Sequence, residues 1–239
     1  MKKALVTGSS GDIGKAICIR LAREGFHVIV HCYRQTDKAN SLVNDIKAQG
    51  YSSEAVAFNV SDNIETAEKL AIFADTGPVQ VIVNNAGIHH DAPMAGMTFQ
   101  DWQKVINVSL NGFFNVTQPL LLPMIGTRWG RIINMSSIAG LMGNRGQTNY
   151  AAAKSALHGA TKSLAQEVAS RGITVNAIAP GIIQGAMSET SFDVKTIKTM
   201  VPMKRAGTPE EVAALTAFLC SEEAAYISGQ IISINGAMT

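Results

Sequence analysis

The chain has 239 residues, 46% of them hydrophobic, which is enough apolar material for one substantial core. A formal net charge of only +2 gives no support for nucleic-acid binding, and three cysteines without metal or disulfide spacing fit a reducing compartment. We see no linker, no signal peptide and no run of membrane-spanning length. We therefore expect one soluble cytoplasmic domain over residues 1–239, with no metal site.

The first 30 residues predict a strand, a glycine-rich turn, a helix and a second strand. The apolar run begins at Lys3, the turn spans residues 7–14, and Val28 lies in the second strand. Such a turn brings backbone N–H groups to a pyrophosphate at the positive end of the helix, and glycine is needed where a Cβ would collide. The turn residues predicted to bind the cofactor are Gly8, Ser10, Gly11, Ile13 and Gly14.

The second strand ends in His31-Cys32-Tyr33-Arg34, where an NAD-selective fold usually presents Asp or Glu to the ribose. No carboxylate is present there, and the Arg34 guanidinium can pair with a 2′-phosphate. This pattern predicts NADPH as the cofactor. The alternative is an arginine that contacts only solvent.

Further β-type runs near residues 55, 80, 131, 173 and 231 alternate with helical stretches. With the first two strands they predict an α/β doubly wound Rossmann fold, in which a single seven-stranded parallel sheet carries helices on both faces. We expect right-handed connections and a cofactor lying across the carboxyl ends of the strands. Long helices around residues 100–124 and 148–169 are expected to build a subunit interface.

Tyr150 and Lys154 are one helical turn apart, and Ser137 follows the strand near residue 131. Because an ammonium favours a neighbouring phenolate, Lys154 is predicted to lower the pKa of Tyr150 towards working pH. Ser137 can donate a hydrogen bond to a substrate oxygen beside the phenol. These residues predict proton transfer to a ketone, with Gln147 as a further substrate contact. An ordinary surface helix with an unrelated Tyr and Lys is the alternative.

Together the motifs resemble a short-chain dehydrogenase/reductase of the single-domain type, over essentially the whole chain. Besides the turn and the Tyr150–Lys154 pair, they include Asn84-Asn85-Ala86-Gly87, Asn176-Ala177-Ile178-Ala179-Pro180-Gly181 and Gly229-Gln230. The resemblance implies that Tyr150 and Lys154 also contact the cofactor, and that Lys154 holds the nicotinamide ribose. The other residues implied to bind the dinucleotide are Asn59 and Val60 at the adenine, Asn85, Ala86 and Gly87, and, at the nicotinamide, Pro180, Gly181 and Ile183.

Residues 140–154 and 205–212 are most similar to the 3-oxoacyl-(acyl carrier protein) reductases of that family. This closer resemblance implies an acyl carrier protein as partner and a homotetramer as the assembly. It also implies that Arg128 and Arg171 dock the acidic carrier near the mouth of the site. Ordinary surface charge is the alternative role of the two arginines.

Three residues depart from the family's pattern. Asp12 stands where the nucleotide turn usually has glycine, so either the turn is shifted or Asp12 caps the following helix. Ser109 replaces a catalytic asparagine that holds a water relaying protons to the lysine, so we expect a weakened or rerouted relay, with Asn107 and Asn111 on other helix faces. Gly185 replaces a threonine that bonds the cofactor's carboxamide, so either affinity falls or backbone groups substitute.

Two further segments are expected near the pocket. Residues 185–203 are rich in methionine, and by position they close over an acyl chain with Met187, Met200 and Met203, unless they are simply a pair of packing helices. His89 and His90 follow the Asn84–Gly87 motif and are expected at the rim of the pocket rather than as ligands.

The sequence therefore predicts hydride transfer from NADPH to the ketone of a 3-oxoacyl thioester on acyl carrier protein, in fatty-acid or related polyketide or polyene synthesis. Three alternatives stay open: an acetoacetyl-CoA reductase, an NAD-linked dehydrogenase of secondary alcohols, and a nucleotide-sensing regulatory protein without turnover. The missing carboxylate after the second strand disfavours the NAD-linked enzyme. The intact Ser137, Tyr150 and Lys154 disfavour the sensor.

Overall fold

The structure, a computed structural model, describes residues 1–73, 76–185 and 193–239. It contains one parallel sheet of seven strands in the order β3-β2-β1-β4-β5-β6-β7. The strands are β1 Lys3–Val6, β2 His27–Cys32, β3 Ser53–Ala57, β4 Val79–Asn84, β5 Gly130–Met135, β6 Ile173–Pro180 and β7 Ile231–Ile234. This architecture confirms the predicted doubly wound α/β fold.

Helices follow the strands along the chain. Those in the described residues are α1 Asp12–Arg23, α2 Thr36–Ala48, α3 Asn63–Ala71, α4 Phe99–Ile106, α5 Gly112–Thr127, α6 Ile138–Met142, α7 Thr148–Val168, α8 Val194–Met200 and α9 Pro209–Cys220. A π-helix, Asn107–Asn111, joins α4 to α5, and short 3-10 turns occupy Met94–Gly96 and Ala169–Arg171. The predicted long helix around residues 100–124 is therefore interrupted by a π turn.

The core has two halves because alternate residues of a strand face opposite sides of the sheet. Ala4 and Val6 of β1 pack with α1, α2 and α9 on one face, whereas Leu5 packs with α5 and α7 on the other. All three side chains are fully buried. Burial on both faces explains why the strands are apolar runs rather than alternating patterns.

The strand order places the site. β1 pairs in parallel with both β2 and β4, so the connections leaving the carboxyl ends of β1 and β4 diverge to opposite faces and leave a crevice between them. The glycine-rich turn after β1 and the Asn85–Gly87 segment after β4 meet at this crevice. In the part of the chain that the structure describes, no helix has the length and hydropathy to cross a membrane.

Candidate active site

The turn after β1 is compressed so tightly that only glycine fits at two of its positions. Gly8 has a φ of +66°, and a Cβ there would lie 2.9 Å from Ala86 Cα. A Cβ at Gly14 would lie 2.8 Å from Ser9 Cα. The helix that follows begins at Asp12 with Gly11 as its N-cap, so the suggestion that Asp12 caps α1 is wrong. A glycine turn at the positive end of a twelve-residue helix fits a dinucleotide's pyrophosphate.

Thr7, which the sequence analysis did not single out, fastens this turn to the Asn85–Gly87 segment. Its Oγ1 accepts hydrogen bonds from the N–H groups of Asn85 at 3.0 Å and Ala86 at 2.9 Å. In return the Asn85 side-chain amide donates to the Thr7 carbonyl at 2.8 Å. The first and fourth strands therefore present their loops as one rigid wall of the crevice, where the resemblance places the dinucleotide.

His31 is a second residue that the sequence analysis overlooked as a site residue. Its buried ring lies between the turn and the segment after β3, where Nδ1 accepts from the Gly8 N–H at 3.1 Å and Nε2 donates to the Phe58 carbonyl at 3.0 Å. Burial lowers the pKa of His31 to about 4, opposed by the bond to Phe58. The ring is therefore neutral at physiological pH and has one possible tautomer. A histidine at the end of a strand carries no sequence signal for this role.

The adenosine end of the crevice follows β2 and β3. Asn59 Oδ1 accepts from the N–H and hydroxyl of Ser61, which shapes the turn, and Val60 is buried beside it. Arg34 is exposed, with its guanidinium 4.7 Å from the Tyr33 ring centre and donating to the Tyr33 hydroxyl at 3.2 Å. None of the three residues between β2 and α2, Tyr33, Arg34 and Gln35, carries a carboxylate.

Ser137, Tyr150 and Lys154 meet at the carboxyl end of β5. Ser137 is the N-cap of α6 and accepts a hydrogen bond from the Ala139 N–H at 3.2 Å. Tyr150, in the first turn of α7, lies beside the Ser137 side chain, which counteracts the effect of burial on its pKa. Lys154 is buried one turn later, where its Nζ donates to the Met135 carbonyl at 2.7 Å and lies 5.6 Å from the Tyr150 ring centre.

Burial dominates the electrostatics of this group. It raises the pKa of Tyr150, opposed by the neighbouring Ser137 hydroxyl and reinforced by the carboxylate of Asp91. Burial also lowers the pKa of Lys154 to about 8. The predicted lowering of the Tyr150 pKa by Lys154 is therefore wrong for this structure, since burial of the phenol has the larger effect. The phenol keeps its proton at neutral pH, which is the form that donates to a ketone oxygen.

Ser109 lies in the π-helix, and its side chain is buried close to Lys154. Its Oγ has no hydrogen-bond partner in the described part of the chain. A Cβ at Gly87 would lie 3.1 Å from Lys154 Nζ and 3.7 Å from Ser109 Oγ, so both polar atoms border the space beside Gly87. Asn111 and Asn107 instead bond to each other at 2.8 Å on the exposed side, as expected from their positions.

The loop after β6 forms the opposite wall. The Gly181 N–H donates to the Ile234 carbonyl at 2.9 Å, and Ile183 forms a bridge with Gly207. Two residues later, Gly185 contacts the Asp12 side chain across the crevice. Met187 and the rest of residues 186–192 lie outside the described residues, so the expected closure over the acyl chain has no test here. Met200 and Met203 are exposed, one at the end of α8 and the other beyond it.

The rim of the crevice is polar. Gln147 is held on both sides, because its amide donates to Asp91 at 2.9 Å and its carbonyl accepts from Asn144 at 3.0 Å. Asp91 also pairs with His89 at 3.0 Å, and the His89 ring meets the Tyr150 ring edge-on at 6.5 Å between centres. His89 therefore lies beside Tyr150, and Asp91 is a rim residue that the sequence analysis missed.

Arg128 and Arg171 lie at the wrong edge of the sheet for the expected role at this chain's own site. Arg128 precedes β5 and Arg171 precedes β6, whereas Ser137, Tyr150 and Lys154 follow the carboxyl end of β5. The two arginines are neighbours, since the Arg128 guanidinium donates to the Ser170 carbonyl at 3.3 Å. Their predicted position near the mouth is therefore wrong within one chain, because residues before and after a strand lie at opposite edges.

Comparison with known proteins agrees with this geometry. Residues 2–195 match the family model described as short chain dehydrogenase. The chain is 45% identical to a 3-oxoacyl-(acyl-carrier-protein) reductase of Staphylococcus epidermidis (99% of this chain, 98% of the relative) and 42% identical to one of Aggregatibacter actinomycetemcomitans (98% of each). It is 41% identical to an acetoacetyl-CoA reductase of Cupriavidus necator, over 98% of this chain and 97% of the relative. The chain belongs to the short-chain dehydrogenase family, whose oxidoreductases use NAD or NADP.

Proposed function

We propose that this protein reduces the ketone of a 3-oxoacyl thioester, carried by acyl carrier protein, with NADPH. The observation that carries the proposal is the placement of Ser137, Tyr150 and the buried Lys154 together, at the edge of the sheet that also holds the glycine-rich turn. The relatives named for this reaction, at 42% and 45% identity, support the choice of substrate.

The protein's own residues handle the proton. When bound, NADPH supplies a hydride to the ketone carbon. The hydroxyls of Ser137 and Tyr150 hold the ketone oxygen, and Tyr150 gives its proton to that oxygen as the carbonyl becomes an alcohol. The Lys154 ammonium stabilises the phenolate that remains. The Ser109 hydroxyl lies close to Lys154 and has no hydrogen-bond partner among the described residues. It is therefore positioned to hold a water that returns a proton to Tyr150 through Lys154.

We propose NADPH rather than NADH because of the end of β2. The Arg34 guanidinium is exposed and stacked on Tyr33, so it presents its N–H groups to an anion next to the adenosine end of the crevice. Arg34 suits a 2′-phosphate, whereas a carboxylate there would suit the ribose hydroxyls.

The carrier and the assembly are further parts of the proposal. A homotetramer would let Arg128 and Arg171 dock an acidic carrier at the site of another subunit, since they lie far from the site of their own chain. The three cysteines are free and buried, which suits the reducing cytoplasm in which fatty-acid or related synthesis would take place.

A second candidate is reduction of acetoacetyl-CoA, favoured by the relative of that name at 41% identity. The same acyl group offered on acyl carrier protein and on coenzyme A separates the two. We expect the larger kcat/KM with acyl carrier protein, and a preference for coenzyme A would favour the second candidate.

Oxidation of NADPH with a 3-oxoacyl thioester, by the wild type and by Tyr150→Phe, tests the reaction. Loss of the donated proton should lower kcat by about 10²–10⁴-fold without weakening NADPH binding, as for other general acids. Tyr51→Phe, on the loop before β3, is the matched control and should keep full activity. A wild type that binds NADPH but reduces none of these ketones would instead support the nucleotide sensor.

A further inference from the structure

Two of the residues that depart from the family's pattern touch each other. Asp12 is the first residue of α1, and Gly185 lies in the loop after β6, on the facing wall of the crevice. A Cβ at Gly185 would overlap the Asp12 carboxylate and would lie 3.0 Å from its Cγ and 3.2 Å from its Cβ. The Asp12 side chain therefore fills the space into which a side chain at position 185 would point.

The backbone at position 185 gives a second reason for glycine. Its φ of +147° lies in a region that residues with a side chain rarely adopt. A larger residue at position 185 must displace both its own backbone and Asp12. Conversely, a glycine at position 12 would remove the side chain that Gly185 packs against. Asp12 therefore fits beside Gly185 but not beside the threonine that the family usually has at position 185. Gly185 in turn loses its packing partner if position 12 carries the family's usual glycine.

Both contacting segments are otherwise firmly anchored. The Gln184 N–H donates to the Gly207 carbonyl at 2.8 Å, and the Gly207 N–H donates to the Ile182 carbonyl at 2.9 Å. The turn before Asp12 is held by Thr7 and His31. The contact of Asp12 with Gly185 therefore sets the separation of two rigid walls, which belong to the turn at the pyrophosphate and the loop at the nicotinamide.

We propose that Asp12 is a positioning residue that takes over, from the nucleotide turn, the role of a side chain at position 185. Its side chain holds the loop after β6 at the correct distance for the dinucleotide, and Asp12 and Gly185 act as one coupled pair in cofactor binding. The inference rests on the proposed use of NADPH by this site. It requires the volume of the Asp12 side chain rather than its negative charge, which would repel phosphates.

The test is a double-mutant cycle in the full chain, with Asp12→Gly, Gly185→Thr and both changes together. NADPH dissociation constants come from the change in cofactor fluorescence, and unfolding midpoints are measured without cofactor. We expect each single change to weaken NADPH binding about five- to tenfold. The double change should weaken binding clearly less than the product of the two effects, because it relieves the clash with Asp12 although not the backbone strain at position 185, as for contacting residues that couple. Fold-changes that multiply in the double variant would overturn the proposal.

Two controls separate the possible causes. Gly25→Thr places the same side chain on another glycine of positive φ, +87°, just beyond the carboxyl end of α1. A Cβ at Gly25 would have no other atom within 4 Å. This variant should lower the unfolding midpoint without changing NADPH binding, and Asp12→Gly should not rescue it. Asp12→Asn keeps the volume and removes the charge, so it should bind NADPH as the wild type does or more tightly. Binding as weak as that of Asp12→Gly would overturn the role of volume.

These measurements also distinguish a failure of the proposed function from a failure of the coupling between Asp12 and Gly185. A wild type that binds neither NADPH nor NADH would overturn the proposed function together with the role of the pair. A wild type that binds NADPH, but whose variants show independent effects, would overturn the role of the pair alone.

Discussion

Ser109 lies on the π turn that the structure brings close to Lys154. Single π turns inside helices add one residue to a turn and are often found at functional sites. Here the turn directs Ser109 inward and leaves Asn107 and Asn111 outside, bonded to each other. A hydroxyl is shorter than a carboxamide, so the space between Ser109 and Lys154 suits a small polar molecule such as water.

We expect Ser109→Asn to preserve or raise turnover, because a carboxamide at the same position can hold that water or reach towards Lys154 directly. Steady-state kcat with a 3-oxoacyl thioester measures the effect. Asn111→Ser, on the exposed side of the same π turn, is the matched control and should leave kcat unchanged. A large loss of kcat in Ser109→Asn alone would sink the assignment of Ser109 to the proton relay.

In the proposed function, Arg34 determines the preference for NADPH over NADH. Its contribution to NADPH binding can be measured with a single substitution. Removing a charged hydrogen-bonding partner of a phosphate costs about 1.5–3 kcal/mol, which corresponds to roughly a tenfold to hundredfold weaker binding. We expect Arg34→Ala to weaken NADPH binding by that factor and to leave NADH binding unchanged, as measured by cofactor fluorescence. Lys38→Ala, in the first turn of α2, should change neither affinity. Equal losses for both cofactors would show that Arg34 does not read the 2′-phosphate.

At the scale of the elements, hydrogen bonds rather than apolar packing align the loops of the crevice. Thr7 joins the loops of β1 and β4, and His31 joins β2 to the loops of β1 and β3. On the other side of the catalytic group, the Ser136 hydroxyl donates to the Lys154 carbonyl at 3.0 Å and so ties α7 to the end of β5. Each bond is directional, so the loops keep one arrangement.

The two hydrogen bonds of the neutral His31 ring make the free energy of unfolding depend on pH. The pKa of His31 is about 4 in the fold and near 6.5 in the unfolded chain, so the unfolded chain binds more protons between these values. Stability is therefore complete above about pH 6.5 and is lost as the pH falls towards 4. This single residue should remove about 2 kcal/mol of unfolding free energy between pH 7 and pH 5.

Urea unfolding at pH 7 and pH 5 tests this expectation. His31→Asn should be less stable than the wild type at pH 7, because it disturbs both hydrogen bonds, but should lose about 2 kcal/mol less on acidification. Val28→Ala, in the same strand, is the control, because it destabilises the fold without removing a titratable group and should keep the wild-type dependence on pH. The same acid loss in wild type and His31→Asn would contradict a neutral His31 in the fold.

At the scale of the whole molecule, the sequence predicted what depends on periodicity and on strand direction. The apolar run near residue 55 is β3, Ser53–Ala57, and Ser137, Tyr150 and Lys154 lie together because α6 and α7 both follow the carboxyl end of β5. The pKa of Tyr150 could not be predicted, because it depends on how deeply the phenol is buried. The contact of Asp12 with Gly185 depends on the path of two loops that are distant in the sequence, and local sequence patterns do not predict such a contact.

The outer surface of α4 and α5 carries exposed apolar side chains that could contact a second subunit. Phe99, Phe114 and Leu122 are 73%, 56% and 77% exposed on these helices, although burying such large apolar side chains would be favourable. Large apolar side chains gathered on one face of a soluble protein usually mark an interface. This surface supports the proposal that helices in residues 99–127 build contacts between subunits.

We therefore expect the wild type to self-associate, as a tetramer in the proposal, and Leu122→Lys to shift it to smaller species, because a buried unpaired ammonium destabilises an interface. Light scattering after size-exclusion chromatography gives the mass directly. Tyr51→Lys is the matched control, since Tyr51 is 37% exposed on the loop before β3, the edge strand of the sheet, and its change should leave the mass as it is. If Leu122→Lys and the wild type have the same mass, subunits do not meet through the centre of this surface. The loss of assembly should also lower kcat/KM for the acyl carrier protein substrate more than for a short coenzyme A substrate, because the arginines would no longer flank a neighbouring site.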